Sequence, residues 1–467
     1  LKILLCHPLS SETSPKKSPP LGILFTGAAA ENAGYEIEYW VEYSDSQTEL
    51  EHLIDWADIV GVSSFTGIQL YYAKRIFILA KQKNKITVFG GVHANSSYEQ
   101  SIKEDYIDYV AVGEGEITLI NLVKYLKKEI DYPEGIISKN FPLKRAPVLT
   151  EFVSPITNKT LRFFEYSNRT NDIFLPASRG CPYKCGFCIN SSKFVGRYRL
   201  VPIEVWTQWL NELNLKMNIS WLTTGDDYLG NQKRMLTVGK ILKEKNINWS
   251  PYCRGDNFKH NGEQFAYALK ELGVTDISIG IESGNERILK LINKGETLEE
   301  LEHAAICISN TGIRPQYYFI VGFPTETKEE RNQTFDFADR LYNIHKGNVI
   351  MSFYNFTPFE GVGLYDLAKE MGMKVPDTME EWEQFTVSNS GTHEEKNIYH
   401  IAGIHFHQQP GAITDLNFPG KRRLLIKLFE LLCSLRWKYR FFKLFAVEKF
   451  LIEFVIKNLK VKHKNKE

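Results

Sequence analysis

Apolar residues in positions 1–130 fall in short runs separated by longer amphipathic stretches. Lys2-Ile3-Leu4-Leu5-Cys6 predicts a first strand, Leu21–Asn32 a helix ending near Gly34, and Glu36-Ile37-Glu38-Tyr39-Trp40 a second strand. After a polar helical stretch come strands at Ile59–Ser63, Ile86–Phe89 and Tyr109–Val112, with a helix near Leu70–Lys81 before the second of these. This alternation predicts a parallel sheet with helices on both faces. Ligands of such sheets bind beyond the carboxyl ends of the strands. Those ends carry Ser63-Ser64-Phe65-Thr66, Gly90-Gly91-Val92-His93-Ala94 and Gly113-Glu114-Gly115-Glu116.

From 131 to 170 the pattern lapses into Pro, Asn, Lys and Thr, which reads as a long connector over the surface. Alternation resumes over 171–372. Strands are predicted at Phe174–Ser178, Ile219–Thr223, Asn248–Cys253, Asp276–Ile281, Gln316–Val321 and Val349–Phe356. Helices fall near Pro202–Leu215, Gln232–Lys245, Gly262–Leu272, Leu298–Asn310 and Lys328–Asn343. Such a series builds a barrel or part of one, with its chemistry at the strand carboxyl ends. Those ends are Gly225-Asp226-Asp227, Arg254, Glu282-Ser283-Gly284 and Gly322-Phe323-Pro324. The remainder, 373–467, reads as mostly helical, with Leu424, Leu425, Leu428, Leu432 and Leu435 interleaved with Arg and Lys.

The 467 residues suffice for two or three domains of ordinary composition, but the charge is uneven. From Lys421 to Glu467 fourteen Lys/Arg stand against four Asp/Glu, so this tail carries about +10 and the rest about −9. Basic amphipathic helices with aromatics such as Trp437, Tyr439, Phe441 and Phe442 can lie on an anionic membrane surface; a cap packed on the barrel reads equally well. No base-reading module accompanies the basic tail, so nucleic acid is not expected as a partner. Cys6, Cys253, Cys307 and Cys433 are scattered, which fits a reducing cytoplasm. Leu1–Cys6 is too short for a signal peptide and lacks a basic region before it, and no apolar run is long enough for a transmembrane helix. His400, His405 and His407 lie close together, the last two on one face of a strand by this reading; a metal site or ordinary surface histidines both fit.

Three further cysteines are different. Arg179-Gly180-Cys181-Pro182-Tyr183-Lys184-Cys185-Gly186-Phe187-Cys188 places three thiols at C-x-x-x-C-x-x-C spacing on one loop after a strand. Short cysteine spacings of this kind let a loop wrap an iron–sulfur cluster. A structural zinc site wants four ligands, and no fourth cysteine or histidine lies nearby. Three ligands on a four-iron cluster leave one iron open.

The spacing, with the aromatic Phe187 before the last cysteine, resembles the signature of the radical S-adenosylmethionine superfamily. The resemblance implies a [4Fe-4S] cluster on Cys181, Cys185 and Cys188, the catalytic cysteines. It also implies S-adenosyl-L-methionine chelating the open iron and a partial (β/α)6 TIM-type barrel. In that family the reduced cluster cleaves S-adenosylmethionine to a 5′-deoxyadenosyl radical. By the same resemblance Gly225-Asp226 lies beside the cofactor's amino group and Glu282-Ser283 faces its ribose and carboxylate. Gly322 with Phe323-Pro324 borders the adenine, and Phe187 packs near that ring. Lys294-Gly295 and Glu326 also match the pattern. Arg254 either pairs with the methionyl carboxylate or bridges to Asp256 on the surface.

The first region resembles the Rossmann-like cobalamin-binding domain that precedes the cysteine motif in one branch of the superfamily. Pro19-Pro20-Leu21-Gly22, Gly90-Gly91-x-His93 and Gly113-Glu114-Gly115-Glu116 carry the likeness, with Ser63 and Thr66 at a further strand end. No histidine has Asp two residues before it, so the D-x-H-x-x-G ligand of other cobalamin proteins is absent, and His93 is not assigned as an axial ligand. A Rossmann-like domain without corrin is the plain alternative. Nucleotide binding is disfavoured, since neither G-x-G-x-x-G nor a Walker loop follows the first strand.

Together the two resemblances imply a cytoplasmic enzyme that C-methylates an unactivated carbon of a small molecule, a lipid, an isoprenoid or a secondary metabolite. An external donor such as flavodoxin or ferredoxin would reduce it. A cyclase or oxidative rearrangement enzyme that uses cobalamin for electron transfer is the alternative within the family. A non-catalytic cobalamin or redox sensor is the alternative outside it.

Overall fold

The computed structural model of the chain describes residues 1–9, 18–169, 173–191, 197–224, 231–385, 392–406 and 421–443. Its first half alternates β1 (Lys2–His7), α1 (Leu21–Asn32), β2 (Glu36–Val41), α2 (Gln47–Trp56), β3 (Ile59–Ser63), α3 (Ile68–Gln82) and β4 (Ile86–Gly90). Then follow α4 (Val92–Ser96), α5 (Tyr98–Ser101), β5 (Tyr109–Ala111), α6 (Gly115–Leu126), β6 (Ile136–Ser138) and α7 (Leu161–Arg169). The six strands form one sheet in the order β2-β1-β3-β4-β5-β6. All pairs are parallel except the edge pair β5–β6.

Alternate residues of β1 enter two different cores, which explains its unbroken apolar run. Ile3 and Leu5 join a core shared with α1, α6 and the second half of the chain, while Leu4 and Cys6 join another with α2 and α3. The first core crosses between the two halves: Phe25 of α1 packs its ring 5.5 Å from that of Trp209. Met379 and Trp382 from far along the chain close the second core. Trp382 donates to Gln100 there at 2.9 Å.

The stretch expected to be a surface connector is partly structural. Ile136 in β6 and Phe163 and Phe164 in α7 are fully buried. Arg162 ties α7 to Asp45 at 2.8 Å. The prolines and lysines around them hide these few apolar residues from a composition average.

The second half runs β7 (Ser178–Arg179), β8 (Arg199–Leu200), α8 (Ile203–Lys216), β9 (Trp221–Thr223), α9 (Gln232–Glu244), β10 (Asn248–Ser250) and β11 (Tyr252–Cys253). It continues α10 (Gly262–Glu271), β12 (Asp276–Glu282), α11 (Glu286–Leu291), α12 (Leu298–Ser309), β13 (Arg314–Val321), α13 (Lys328–Ile344) and β14 (Ile350–Asn355). β7 and β8 form a small antiparallel pair, and β9–β14 pair only in parallel as they follow one another. The predicted first strand pairs with β9 through a parallel bridge, Phe174 to Thr223; β9 pairs with β10, and β11-β12-β13-β14 form a four-stranded sheet. The predicted strand Asn248–Cys253 is split at Pro251, which has no N–H to give to a ladder. Capping boxes at Thr297 and Thr327 start α12 and α13.

Beyond β14 lie α14 (Tyr365–Glu370), α15 (Met379–Glu383), α16 (His393–His405) and α17 (Lys421–Lys438). His405 therefore sits on a helix, stacked on Trp437, and not on a strand; His407 lies outside the described residues. Cys433, Trp437 and Phe442 are buried against the barrel, and Trp437 and Arg440 bond Asp339 of α13. Leu431, Leu432 and Leu435 are exposed; the side chains of Leu424, Leu425 and Leu428 and everything after Lys443 lie outside the described residues. No described helix is long and apolar enough to cross a membrane.

Candidate cofactor sites

The cysteine loop leaves β7 at Gly180, whose φ of 68° lies in the left-handed region that glycine enters without strain. It is then held from two sides. Gly186 N donates to Ile292 O at 2.8 Å, Leu364 N donates to Gly186 O at 2.8 Å, and Asn293 Nδ2 donates to Lys184 O at 2.9 Å. A Cβ on Gly186 would lie 3.1 Å from the Leu364 side chain, so the loop is closely packed here. Cys185 is buried, Cys181 and Cys188 are half-buried, and all are free thiols. Burial pushes the Cys188 thiol up to about 12 and raises that of Cys185, which Lys294 and Arg254 pull back down. Such thiols need a metal to become thiolates. Among the described residues no three His, Cys, Asp or Glu side chains converge as a single ion requires. Three thiolates on one loop can each bind one iron of a four-iron cube and leave the fourth iron open, so the donor set fits a cluster.

Beside this loop the strand ends hold a buried charge cluster. At the end of β12 a register shift between Gly280 and Glu282 and a φ of 68° at Glu282 turn this carboxylate toward Lys294, 3.4 Å away. Gly280 makes the room: a Cβ there would overlap Glu282 Oε1 and lie 3.1 Å from Lys294 Nζ. Lys294 also meets Glu296 at 3.3 Å, and Glu296 meets Arg254 at the same distance. Arg254 bonds Asp256 at 3.1 Å, donates to Lys294 O at 2.7 Å and lies 3.7 Å over the Tyr183 ring. Burial disfavours charge on Glu282 and raises its pKa despite Lys294. Burial also works against Lys294, but Glu282 and Glu296 outweigh it and hold the ammonium above the usual lysine range. Mixed charges in so dry a place suit a small ligand that carries both signs.

Two expectations change here. Arg254 is committed to Asp256 and Glu296, and it is buried, not a surface bridge. Ser283 is fully buried with its hydroxyl 3.1 Å from Thr334 of α13, facing a helix and not the charge cluster. Gly225 and Asp226 lie outside the described residues. Gly322, φ 79°, donates its N–H to Glu326 at 2.7 Å, and Phe187 packs against Phe323 with ring centroids 6.0 Å apart.

The first sheet ends in a cavity of about 360 Å³. Leu21, Gly22, Ser63, Gly90, Gly91, Gly113, Glu114, Gly115 and Glu116 all line it. Its far wall is Phe174, Pro176, Ser178, Arg179 and Gly180, the segment that runs into Cys181. Residues far apart in the first domain thus meet around one space that backs onto the cysteine loop. Two buried polar atoms on its wall, Thr118 Oγ1 and Arg179 Nη2, lack hydrogen-bond partners. Such atoms are rare unless something binds them.

Thr66 and His93 are not on that wall. Their side chains bond each other at 2.9 Å, and the His93 ring packs between Phe89 and Trp382. Burial holds this imidazole down to about 3, neutral and inside the second core. His93, named with the glycines in the resemblance, therefore does not border the cavity: its ring is held against Trp382, a partner too distant in sequence to foresee. Sequence reasoning missed Glu296, Thr118, Arg179 and Arg199. Of these only Arg179 was in view, as the first residue of the quoted cysteine stretch.

Comparison with known proteins agrees with this geometry. The family description "Radical SAM superfamily" matches residues 175–338, and "B12 binding domain" matches residues 11–123. An uncharacterized methyltransferase of Pyrococcus horikoshii is 30% identical over 397 residues, covering 79% of this chain and 83% of that protein. The anaerobic magnesium-protoporphyrin IX monomethyl ester cyclase of Rubrivivax gelatinosus is 24% identical over 407 residues, covering 80% and 71%. Among solved structures, the cobalamin-dependent S-adenosylmethionine radical enzyme OxsB, with aqua-cobalamin and S-adenosylmethionine bound, superposes with a TM-score of 0.69 at 18% identity over 98% of this chain and 75% of that one.

Proposed function

The chain belongs to the radical S-adenosylmethionine superfamily and joins that core to a B12-binding domain; from this premise we propose that it is a cobalamin-dependent C-methyltransferase acting on a small molecule. The observation that carries the reading is the cavity of the first domain, whose far wall is the segment leading into Cys181. When bound, the cluster with S-adenosylmethionine supplies a 5′-deoxyadenosyl radical, and cobalamin supplies the methyl group for an unactivated carbon.

The residues of this chain hold and order those groups. Cys181, Cys185 and Cys188 ligate the cluster, and the backbone bonds of Gly186 keep the loop from spreading. Lys294 and Glu282 meet the carboxylate and ammonium or hydroxyl groups of S-adenosylmethionine in a site dry enough to strengthen each contact. Phe187, Phe323 and Gly322 offer an apolar, backbone-lined place for its adenine. The glycines of the first-domain cavity let main chain approach the corrin. A second cavity, of about 820 Å³, opens at the ends of β13 and β14 between Phe323, Phe356, Phe385, Met371, Glu326 and Glu395. It supports a substrate with an apolar body and hydrogen-bonding groups.

Anaerobic reconstitution with iron, sulfide and hydroxocobalamin tests the reading. Bound iron near four per chain, a bound corrin spectrum and a product heavier by one methylene are expected. A product lighter by two hydrogens would assign a cyclisation or oxidative rearrangement instead. Failure of the reduced protein to cleave S-adenosylmethionine would leave only a sensor.

A further inference from the structure

Four charged side chains bridge the first domain and the strand that enters the cysteine loop. Arg179 and Arg199 stand directly opposite each other on the antiparallel pair β7–β8, an unfavourable placement for like charges on its own. Glu114 and Glu116, at the N-terminal end of α6, resolve it. Arg199 grips Glu114 through both guanidinium nitrogens at 2.7 and 3.0 Å and also donates to Leu149 O. Arg179 Nη1 lies 2.5 Å from Glu116 and 3.6 Å from Glu114. The Arg179–Glu116 contact is an ion pair rather than a hydrogen bond, since Glu116 Oε1 keeps no donor in line. The Arg179 guanidinium is also held 4.3 Å over the ring of Phe25 in α1. Every one of these first-domain partners except Leu149 lines the cavity.

Arg179 therefore has its stem two residues from Cys181, its charge on the first domain, and one buried donor, Nη2, with no hydrogen-bond partner. Packing alone does not require a fixed arginine with a spare donor at a cavity wall, and leaving it unpaired is costly. We propose that Arg179 is a positioning residue for the reaction. It fixes the cysteine loop in register with the corrin cavity, and its Nη2 donates to an acceptor oxygen, amide or phosphate, of the corrin cofactor. This rests on the cobalamin reading above and adds a named link between the two cofactor sites.

The test compares wild type, Arg179→Gln and Arg179→Lys as holoproteins reconstituted anaerobically with iron, sulfide and hydroxocobalamin. In Arg179→Gln the iron content should hold while the dissociation constant for hydroxocobalamin, from an absorbance titration, rises about tenfold. The broadening that cob(II)alamin imposes on the paramagnetic signal of the reduced cluster should change as the two sites lose register. Arg179→Lys keeps the charge but not the fork and should fall between. Unchanged affinity and unchanged broadening in both variants would overturn the proposal. If Arg179→Gln does not fold, Arg179→Lys decides alone, and a wild-type dissociation constant there counts against the link. Wild type that takes up iron but no hydroxocobalamin would refute the corrin reading itself, a result distinct from a loaded wild type whose variants behave alike.

Discussion

Two sets of parallel strands end in ligand space in this molecule, and they are built by opposite means. At the first sheet the strand ends are glycine and small residues, apolar Leu5, Val62, Val88 and Ala111 form the wall, and the charges sit on one side already paired. At the barrel, buried Arg254, Lys294, Glu282 and Glu296 form a charge cluster that reaches Cys185, with the less buried Asp256 at its edge. The first arrangement suits recognition of a large body by shape and by backbone approach. The second suits a small, charged one, where low dielectric makes each ion count. Since recognition lies in different residues on the two sides, the sites should fail separately.

The sharpest way to break that separation is Cys185→Ala. Cleavage of S-adenosylmethionine by the reduced protein should fall by at least about a thousandfold, as when a group that carries the chemistry is removed. Hydroxocobalamin binding, read by absorbance, should stay at the wild-type value. Retained cleavage would sink the ligand assignment; lost corrin binding would sink the independence of the two sites.

A smaller effect should appear at the barrel alone. Glu326 is buried, and burial lifts its carboxyl to about 7 from an ordinary 4.5, against the Gly322 N–H and Arg331 that favour the charged form. A carboxyl raised in the folded state binds a proton that the unfolded chain has released. Its contribution is then fully present below about pH 4.5 and is lost as pH rises through about 7. Above pH 7 the cost is on the order of 3 kcal/mol. Glu326→Gln keeps the acceptor for Gly322 and removes the charge. Its thermal midpoint should exceed that of wild type at pH 8 and approach it at pH 5, while corrin affinity is unchanged at either pH. Equal midpoints at pH 8 would show that the carboxylate is already neutralised by Arg331.

What the sequence made legible follows the same division. The strand–helix order, the cysteine loop and the glycine-rich strand ends were readable because each is a local pattern. The convergence of Leu21-Gly22, Ser63, Gly90-Gly91 and Gly113–Glu116 on one cavity follows from their shared position at parallel strand ends. Contacts between distant segments were not readable. Trp382 beside His93, Thr334 on Ser283, and Glu296 with Arg254 each pair residues whose meeting depends on how distant segments pack. Phe163 and Phe164 were lost for another reason, being two apolar positions in a polar stretch.

The gentlest probe tests whether the first site works by backbone approach, as the comparison requires. Gly91 has φ 94°, and a Cβ there would lie 2.7 Å from both Ser63 Oγ and Ser64 N. Gly34 has a similar φ of 86° but open space around its absent Cβ. Gly34→Ala therefore serves as a positive-φ control without the clash, costing about 1–2 kcal/mol of stability with corrin affinity untouched. Gly91→Ala adds the clash to the strain. The turn after β3 or the turn after β4 must shift, because Ser64 is itself bonded to Gly90 O and His93 N. An affinity loss of about tenfold for hydroxocobalamin beyond the Gly34 control is expected, a difference near 1.4 kcal/mol. Cleavage of S-adenosylmethionine should be the same in both variants. If Gly91→Ala binds the corrin as Gly34→Ala does, the main chain at that strand end is not in contact with the ligand, and shape recognition there must come from the apolar side chains instead.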